Sequence, residues 1–375
     1  MTLSSRIRRL ALGALALLVH CTVASRVLAD GAGRRWFDGD LRTQVALADD
    51  VARRVLANDG PVYYHTGIER FDGQSAVAID QMALLGLGQV VTAHPELRER
   101  YLVAMRAAGD HLADPHQLRY AARRYGESGL VRMDPGEGHA YLGYAALGLG
   151  MLRRIDPDTP HAALHDRIVA GLAARMLHSD DGLLDTYPGE RWPPDVAAVA
   201  GAIGLHDAVT GTDRGDALDR WAARFERCAV DPRTGFLRQR LHGCGQGVPR
   251  GSGTAVGAYF LSFVRPALAA SLERSLAERG ARSFLGFGGL REYAPGHAGW
   301  GDTNSGPVLA GVSVGATGFG LGAARAAGDR ALFLRLHRTT RLFGVSMPHD
   351  GVRSFAAGGA LGNALLLAML TAETP

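Results

Sequence analysis

The chain repeats one short unit six times, and this repeat limits its fold more than any other feature. Each copy has a glycine, an apolar residue, a short run with alternating polarity and a second glycine, followed by a segment rich in small residues. The copies begin at Gly67, Gly129, Gly182, Gly235, Gly289 and Gly351, with spacings of 62, 53, 53, 54 and 62 residues. Such a period is typical of supersecondary units that bury their apolar faces against one another.

The segments around these copies predict two sets of helices. The first set is rich in Ala, Gly and Leu and nearly free of charge, and it covers 76–92, 139–152, 196–210, 253–264, 305–326 and 359–371. The second set is more polar with an apolar stripe, and it covers 40–57, 97–113, 161–177, 214–228, 267–279 and 328–344. A helix that is apolar all round is buried, and an amphipathic helix covers it. The pattern therefore predicts an all-α fold, an (α/α)6 toroid with short extended turns before each inner helix. A two-layer helical solenoid is the alternative.

Composition excludes several classes of protein. With 47% apolar and 21% charged residues among 375, the chain can bury a large core and is not disordered overall. All 41 basic residues are arginine, because the sequence contains no lysine, which excludes Schiff-base chemistry and a P-loop lysine. The net charge of +4, with no basic run after residue 9, argues against nucleic acid as a partner.

The first 29 residues have the pattern of an export signal. Three early arginines precede an apolar stretch over Leu10–Ala24, which is shorter than the ~20 residues of a spanning helix, and a small-residue cleavage site precedes Asp30. We therefore expect a signal peptide over 1–29, a single toroid over 30–375 and an exported, periplasmic or extracellular protein. An uncleaved membrane anchor is the alternative.

After cleavage only Cys228 and Cys244 would remain of the three cysteines. In an oxidising compartment a disulfide between them would close a short loop. Two free thiols are the alternative.

In a toroid, the loops before the six inner helices meet at one mouth, so polar residues there are candidates for chemistry. The segment YPGERWPPD (187–195) is the most informative, because two prolines fix a helix start and place Asp195 in its first turn. An acid there is stabilised by the helix dipole, by ~0.3–1 kcal/mol, so a simple capping role is one interpretation. Glu190 and Tyr187 on the same loop favour another, a carboxylate pair whose pKa values a partly apolar site can drive apart.

The other loops complete the predicted site. Asp302 lies in WGDTNSGP (300–307), His139 opens an apolar helix, and Asp80 lies within one. The predicted catalytic residues are Asp195, Glu190, His139, Asp302 and Asp80, and the predicted substrate-binding residues are Tyr187, Trp192, Trp300, Tyr141, Asn304 and Arg250. We expect neither a metal nor a cofactor, because no two histidines have metal-ligand spacing, and GFGLGAA (318–324) falls within a predicted helix rather than after a strand.

Two stretches, GEGHAYLGYAALGLGML (136–152) and TYPGERWPPDVAAVAGAIGLHDAVTG (186–211), resemble the linalool dehydratase/isomerase family. That family consists of (α/α)6 toroids that dehydrate or rearrange an allylic alcohol by acid–base chemistry without a cofactor. The resemblance implies the same fold and places His139 where the family has a pocket histidine. Asp195 stands where the family has a cysteine, and Thr186 is near the position of another, so the thiol chemistry proposed for the family does not carry over.

Three functions follow from these observations. The first is a cofactor-independent lyase or isomerase acting on a small hydroxylated, isoprenoid-like substrate, in which Asp195 or Glu190 protonates the leaving hydroxyl. The second is a glycan-active toroid enzyme (hydrolase, lyase or epimerase) with Asp195 and Asp302 as its carboxylate pair and Trp192 or Trp300 as a sugar platform. The third is a non-catalytic protein that binds a lipid or glycan. The expected partner is a small molecule or glycan, and both membrane association through the N-terminus and a homo-oligomeric state are left open.

Overall fold

A computed structural model describes residues 23, 27, 29–58, 69–117, 139–303, 305–349 and 351–373. Within these residues, a helical segment over 29–37 precedes twelve longer α-helices. These are α1 (Leu41–Leu56), α2 (Glu69–Ala93), α3 (Arg98–Ala113), α4 (Leu142–Ile155), α5 (Ala162–His178), α6 (Pro193–Thr210), α7 (Gly215–Ala229), α8 (Gly251–Leu261), α9 (Pro266–Ser275), α10 (Val314–Ala326), α11 (Arg330–Phe343) and α12 (Gly359–Thr371).

The even-numbered helices form a closed ring. Each packs against the next even-numbered helix, and α12 returns to pack against α2. The odd-numbered helices lie outside this ring, as with α3 against α2 and α4, and α9 against α8 and α10. This closure confirms the predicted (α/α)6 toroid, because an open solenoid would keep its first and last repeats apart.

Glycines in the inner helices allow their backbones to approach closely. A Cβ atom on Gly143 of α4 would lie 2.7 Å from the backbone nitrogen of Val199 in α6. A Cβ atom on Gly201 of α6 would lie 2.5 Å from the carbonyl oxygen of Phe260 in α8. A side chain at either position would force the helices apart, which explains why a chain of this fold retains glycine despite its low helix propensity.

The extended turns are short strands in the second half of the chain. A four-stranded antiparallel sheet has the order β1-β2-β4-β3, and a hairpin joins β5 to β6. The strands are β1 (Ala281–Phe284), β2 (Phe287–Arg291), β3 (Val308–Leu309), β4 (Val312–Ser313), β5 (Ser346–His349) and β6 (Val352–Phe355). The repeat copies at Gly289 and Gly351 thus correspond to β2 and β6, whereas those at Gly67 and Gly129 lie outside the described residues.

Two helix boundaries were predicted wrongly. The inner helix expected over 76–92 begins seven residues earlier, at Glu69. The inner helix expected over 305–326 begins only at Val314, because the β3–β4 hairpin occupies the preceding residues. Gly311 in that hairpin has φ of 81°, a left-handed conformation that ends any helix there. Ser313 then caps α10 by accepting a hydrogen bond from the backbone nitrogen of Ala316.

Cys228 at the end of α7 forms a disulfide with Cys244, so of the two alternatives the bridged state is the one present. The predicted signal peptide over 1–29 lies outside the described residues except for positions 23, 27 and 29. Among the described residues, the segment Asp72–Ala93 is long and apolar enough to span a membrane, but 83% of it is buried within the protein. It is an inner helix of the ring.

Candidate functional site

A cavity of about 280 Å³ opens among the N-terminal turns of the inner helices. Side chains from all six inner helices, or from the loops before them, line it. The polar and aromatic lining residues are Gln74, Ser75, Gln81, Tyr144, Tyr187, Trp192, Asp195, Gln239, Ser252 and Thr303, and the apolar ones include Met82, Val256, Phe260, Phe319, Leu361 and Leu365. Among these, Asp195 is the single carboxylate.

Asp195 is held by two hydroxyl groups. It lies in the first turn of α6 after Pro193 and Pro194, and it is 8% exposed. The Tyr144 hydroxyl donates to Oδ1 at 2.5 Å, and the Thr186 hydroxyl donates to Oδ2 at 2.8 Å. Each carboxylate oxygen therefore has a neutral donor within proton-transfer distance, and the group also faces the cavity.

The loop before α6 presents two aromatic rings to the cavity. A tight turn pairs Tyr187 with Glu190, and both Tyr187 and Trp192 line the cavity. Glu190 does not line it, but its Oε2 accepts a hydrogen bond from the Trp192 indole at 3.3 Å. The predicted carboxylate on this loop thus orients an aromatic side chain.

Arg250 and Asp302 form a charged cluster beside the cavity. Buried Arg250 donates from Nε to Glu292 Oε1 at 2.6 Å and from Nη1 to Asp302 Oδ2 at 2.5 Å. Burial lowers the pKa of Arg250, but the hydrogen bond to Asp302 and the charges of Glu292 and Asp302 outweigh it, so the pKa is raised overall. Asp302 also accepts a hydrogen bond from the Ser305 backbone nitrogen at 2.9 Å. The cluster meets the cavity through Ser252 and Thr303.

His139 and Tyr141 lie behind the cavity wall rather than in it. Both are 1% exposed at the start of α4, with their ring centroids 6.0 Å apart. The Tyr141 ring stacks on Tyr187 at 6.1 Å. This pair therefore supports an aromatic residue of the cavity wall.

Asp80 is directed to the outer layer. His111 Nδ1 lies 3.1 Å from Asp80 Oδ1, and Gln117 donates to Oδ2 at 2.6 Å. Burial raises the pKa of Asp80, although the contacts with His111 and Gln117 oppose this shift. The cavity-lining residues of α2 include Ala78 and Met82. Asp80 lies about half a helical turn from each, so the structure does not bring it to the cavity.

Two predicted substrate-binding residues, Trp300 and Asn304, are not found among the lining residues of the cavity. Trp300 is 97% exposed and does not line it. Asn304 lies outside the described residues. Among the described residues, no group of three histidine, cysteine, aspartate or glutamate side chains is placed to hold a metal ion.

Sequence reasoning missed most of the polar lining of the cavity, and three of the missed residues are informative. Tyr144 and Thr186 hold Asp195, and Gln239 lines the cavity. Tyr144 falls three residues after Tyr141 in an otherwise small-residue helix, which is a signal that helical periodicity could have used. Glu292, the partner of Arg250, was not among the predicted site residues.

Comparison with known proteins agrees with the fold. No protein-family model and no curated protein sequence matches this chain. Among solved structures, a family 76 glycoside hydrolase from a bovine Bacteroides thetaiotaomicron strain is similar, with a TM-score of 0.50, 11% identity and coverage of 88% of this chain and 78% of that one. An α-1,6-mannanase of the same family from Salegentibacter sp. HEL1_6 has a TM-score of 0.51, 11% identity and coverage of 87% and 98%. At this identity the likeness establishes the toroid fold alone.

Proposed function

We propose that this chain is a glycan-active enzyme that binds an uncharged sugar in the ring mouth and uses Asp195 for proton transfer. The observation that carries the proposal is the neutral polar lining around Asp195, the single carboxylate among the described residues of the cavity wall. Besides Tyr144 and Tyr187, five amide or hydroxyl side chains share the cavity with Asp195, namely Gln74, Ser75, Gln239, Ser252 and Thr303. A sugar has hydroxyl groups on most of its carbons, so it can use many such partners, whereas an isoprenoid alcohol has one. The rings of Tyr187 and Trp192 add flat apolar faces that suit a sugar ring.

Hydrolysis of a glycosidic bond is the reaction that we infer within this class. Most glycosidases place two carboxyl groups around the bond, one exchanging a proton and the other carrying negative charge opposite the developing cation. Asp195 is the candidate for the first role because it lines the cavity, where the Tyr144 and Thr186 hydroxyls hold its two oxygens in place. Asp302 is the candidate for the second role because its ion pair with the Arg250 guanidinium holds it beside the cavity. The shared fold with an α-1,6-mannanase makes α-1,6-linked mannan the first substrate to try.

The test is a turnover assay of the full chain on a panel of neutral glycans that includes α-1,6-linked mannan, with the released reducing ends measured. The variant Asp195→Asn should abolish turnover while leaving the circular dichroism spectrum and melting temperature close to those of the parent. Asp216→Asn is the matched control, since Asp216 also lies in the first turn of a helix but is exposed. Loss of turnover in both variants, or in neither, would contradict the assignment of Asp195.

A second function is supported by the apolar part of the same cavity. Met82, Val256, Phe260, Phe319 and Leu365 form a wall without hydrogen-bonding groups. This wall suits the hydrocarbon part of an allylic terpene alcohol, the substrate class that the resemblance to the linalool dehydratase/isomerase family implies. The same panel therefore includes linalool, with products followed by gas chromatography. Turnover of linalool and not of any glycan would replace the first proposal with this one.

A further inference from the structure

A second cavity lies on the outside of the ring and is formed by other residues than those of the central cavity. Its volume is about 410 Å³, and it shares no lining residue with the central cavity. The helical segment 29–37, helices α1 and α11, and the β5–β6 hairpin enclose it. We call it the outer cavity.

Arginine side chains dominate the outer cavity. Arg35, Arg42, Arg341 and Arg353 line it, against one carboxylate among the lining residues, that of Asp40. Oδ1 of that carboxylate caps α1, accepting hydrogen bonds from the Thr43 backbone at 2.9 Å and the Thr43 hydroxyl at 2.6 Å. Among the described lining residues, arginines therefore outnumber carboxylates by four to one.

These positive charges lie close enough to oppose one another. Burial lowers the pKa of Arg341, and the neighbouring charges of Arg353 and Arg35 lower it further. Bringing like charges together costs free energy that a bound anion would recover. The exposed Arg35 and Arg42 and the half-buried Arg341 and Arg353 reach the cavity from different elements, so an anion between them could be contacted from several sides.

A buried histidine forms part of the same wall. His337 is 2% exposed, and within the described residues its ring Nδ1 has no hydrogen-bond partner. Burial is the main cause that lowers the pKa of His337, to about 4, so the ring is neutral near pH 7 and can present an N–H. Nδ1 is shielded from the cavity and lies next to Gly33, so His337 forms part of the wall and is not a ligand.

We propose that the outer cavity binds a phosphate group through the guanidinium groups of Arg35, Arg42 and Arg353. Guanidinium groups donate two parallel hydrogen bonds to phosphate oxygens, and this geometry accounts for the frequent use of arginine in phosphate sites. The volume exceeds what one inorganic phosphate fills, so a phosphate ester also fits. A soluble sugar phosphate and the headgroup of an anionic phospholipid share this chemistry.

The experiment measures binding to the full chain and to two neighbouring arginine variants. Isothermal titration with inorganic phosphate and with mannose 6-phosphate tests the soluble source, and co-sedimentation with phosphatidylcholine vesicles with and without phosphatidylglycerol tests the lipid source. Arg35→Gln should weaken binding by about tenfold or more. Arg34→Gln is the matched control, because Arg34 is exposed on the same helical segment but does not line the outer cavity, and it should change binding by less than about twofold.

The N-terminal arginines can also attract anionic vesicles, and they are present in the parent and in every variant. The vesicle experiment is therefore interpreted from the difference in binding between variants. Saturable binding of either soluble phosphate, or of anionic vesicles alone, supports the site if Arg35→Gln reduces it and Arg34→Gln does not. A second variant, Arg42→Gln on an exposed position of α1, should reproduce the loss and guards against misfolding of the first. Equal loss in the Arg34 and Arg35 variants, or no saturable binding of any probe, overturns the proposal.

Discussion

Asp195 and Asp302 both lie in loops that lead to inner helices, yet their surroundings differ. Asp195 faces the cavity and accepts hydrogen bonds from two hydroxyl groups, with 8% of its surface exposed. Asp302 pairs with the Arg250 guanidinium and accepts the Ser305 amide. Hydroxyl groups and a guanidinium both stabilise a carboxylate by donating hydrogen bonds, but the guanidinium adds a full positive charge and holds Asp302 in an ion pair beside the cavity, whereas Asp195 has neutral partners in the cavity wall. The position of an acid in the ring therefore does not settle its role; its bonding partners do.

The largest expected effect is on turnover. If Asp195 exchanges a proton in the reaction, Asp195→Asn should reduce kcat by about 10²–10⁴-fold. Asp302→Asn removes a negative charge but leaves Asp195 in place to exchange the proton, so a smaller loss in kcat of about 10–100-fold is expected. Steady-state kinetics on whichever substrate the panel identifies would measure both. Equal losses in the two variants would mean that both aspartates take part in proton transfer or nucleophilic attack, and the contrast between them would then be wrong.

The next effect is on folding stability, where replacing Arg250 should cost more than replacing its partner Asp302. Arg250→Gln would leave Glu292, which is 0% exposed, without its ion pair. Breaking a buried pair in this way costs about 3–5 kcal/mol of the free energy of unfolding. Asp302→Asn should cost about 1 kcal/mol or less, because its side chain is 29% exposed and Arg250 keeps Glu292. Urea denaturation of the parent and the two variants measures the free energy of unfolding. Similar losses in the two variants would show that the Arg250–Asp302 pair stabilises the fold as much as the Arg250–Glu292 pair.

The ring itself could be predicted from the sequence because its signals are local. Apolar periodicity separates inner from outer helices, and glycine spacing marks the turns, without any knowledge of distant contacts. The same local pattern gave a wrong start for α10, because the residues before Val314 have a helix-like composition but form the β3–β4 hairpin. The hairpin is held by pairing with β2, a contact with a separate part of the chain that the segment's own composition does not show.

The site was predictable only where a local signal fixed the geometry. Two prolines fix the start of α6, and Asp195 is found in the cavity wall. Arg250 was expected to bind substrate, but Glu292 and Asp302, 42 and 52 residues further along the chain, occupy its Nε and Nη1. Asp80 was expected at the mouth, but its direction depends on how α2 packs against α3. Such long-range packing leaves no trace in one helix's sequence.

A smaller effect compares two tryptophans that the sequence could not distinguish. Trp192 lines the cavity, whereas Trp300 is 97% exposed. Trp192→Ala should weaken the binding of a sugar by about 1–2 kcal/mol, or roughly tenfold in Kd, through loss of a ring that the ligand can pack against. Trp300→Ala should change Kd by less than about twofold. Ligand titration followed by intrinsic fluorescence tests this, and a greater loss at Trp300 would place the sugar outside the described cavity.

The smallest effect is the pH dependence of folding stability, and it concerns Asp80, which does not face the cavity. The hydrogen bond with Asp80 raises the pKa of His111 above its ordinary value of 6.5, despite the opposing effect of burial. A raised histidine pKa stabilises the folded protein below the ordinary value, and this contribution is lost as pH rises through the raised one. The free energy of unfolding should therefore fall between about pH 6 and pH 9 by more in the parent than in His111→Gln, which keeps a donor for Asp80. His116→Gln, at an exposed histidine nearby, is the control and should retain the parent's slope. An unchanged slope in His111→Gln would mean that Asp80 is held by Gln117 alone, and the pH response of the ring would then have to originate elsewhere.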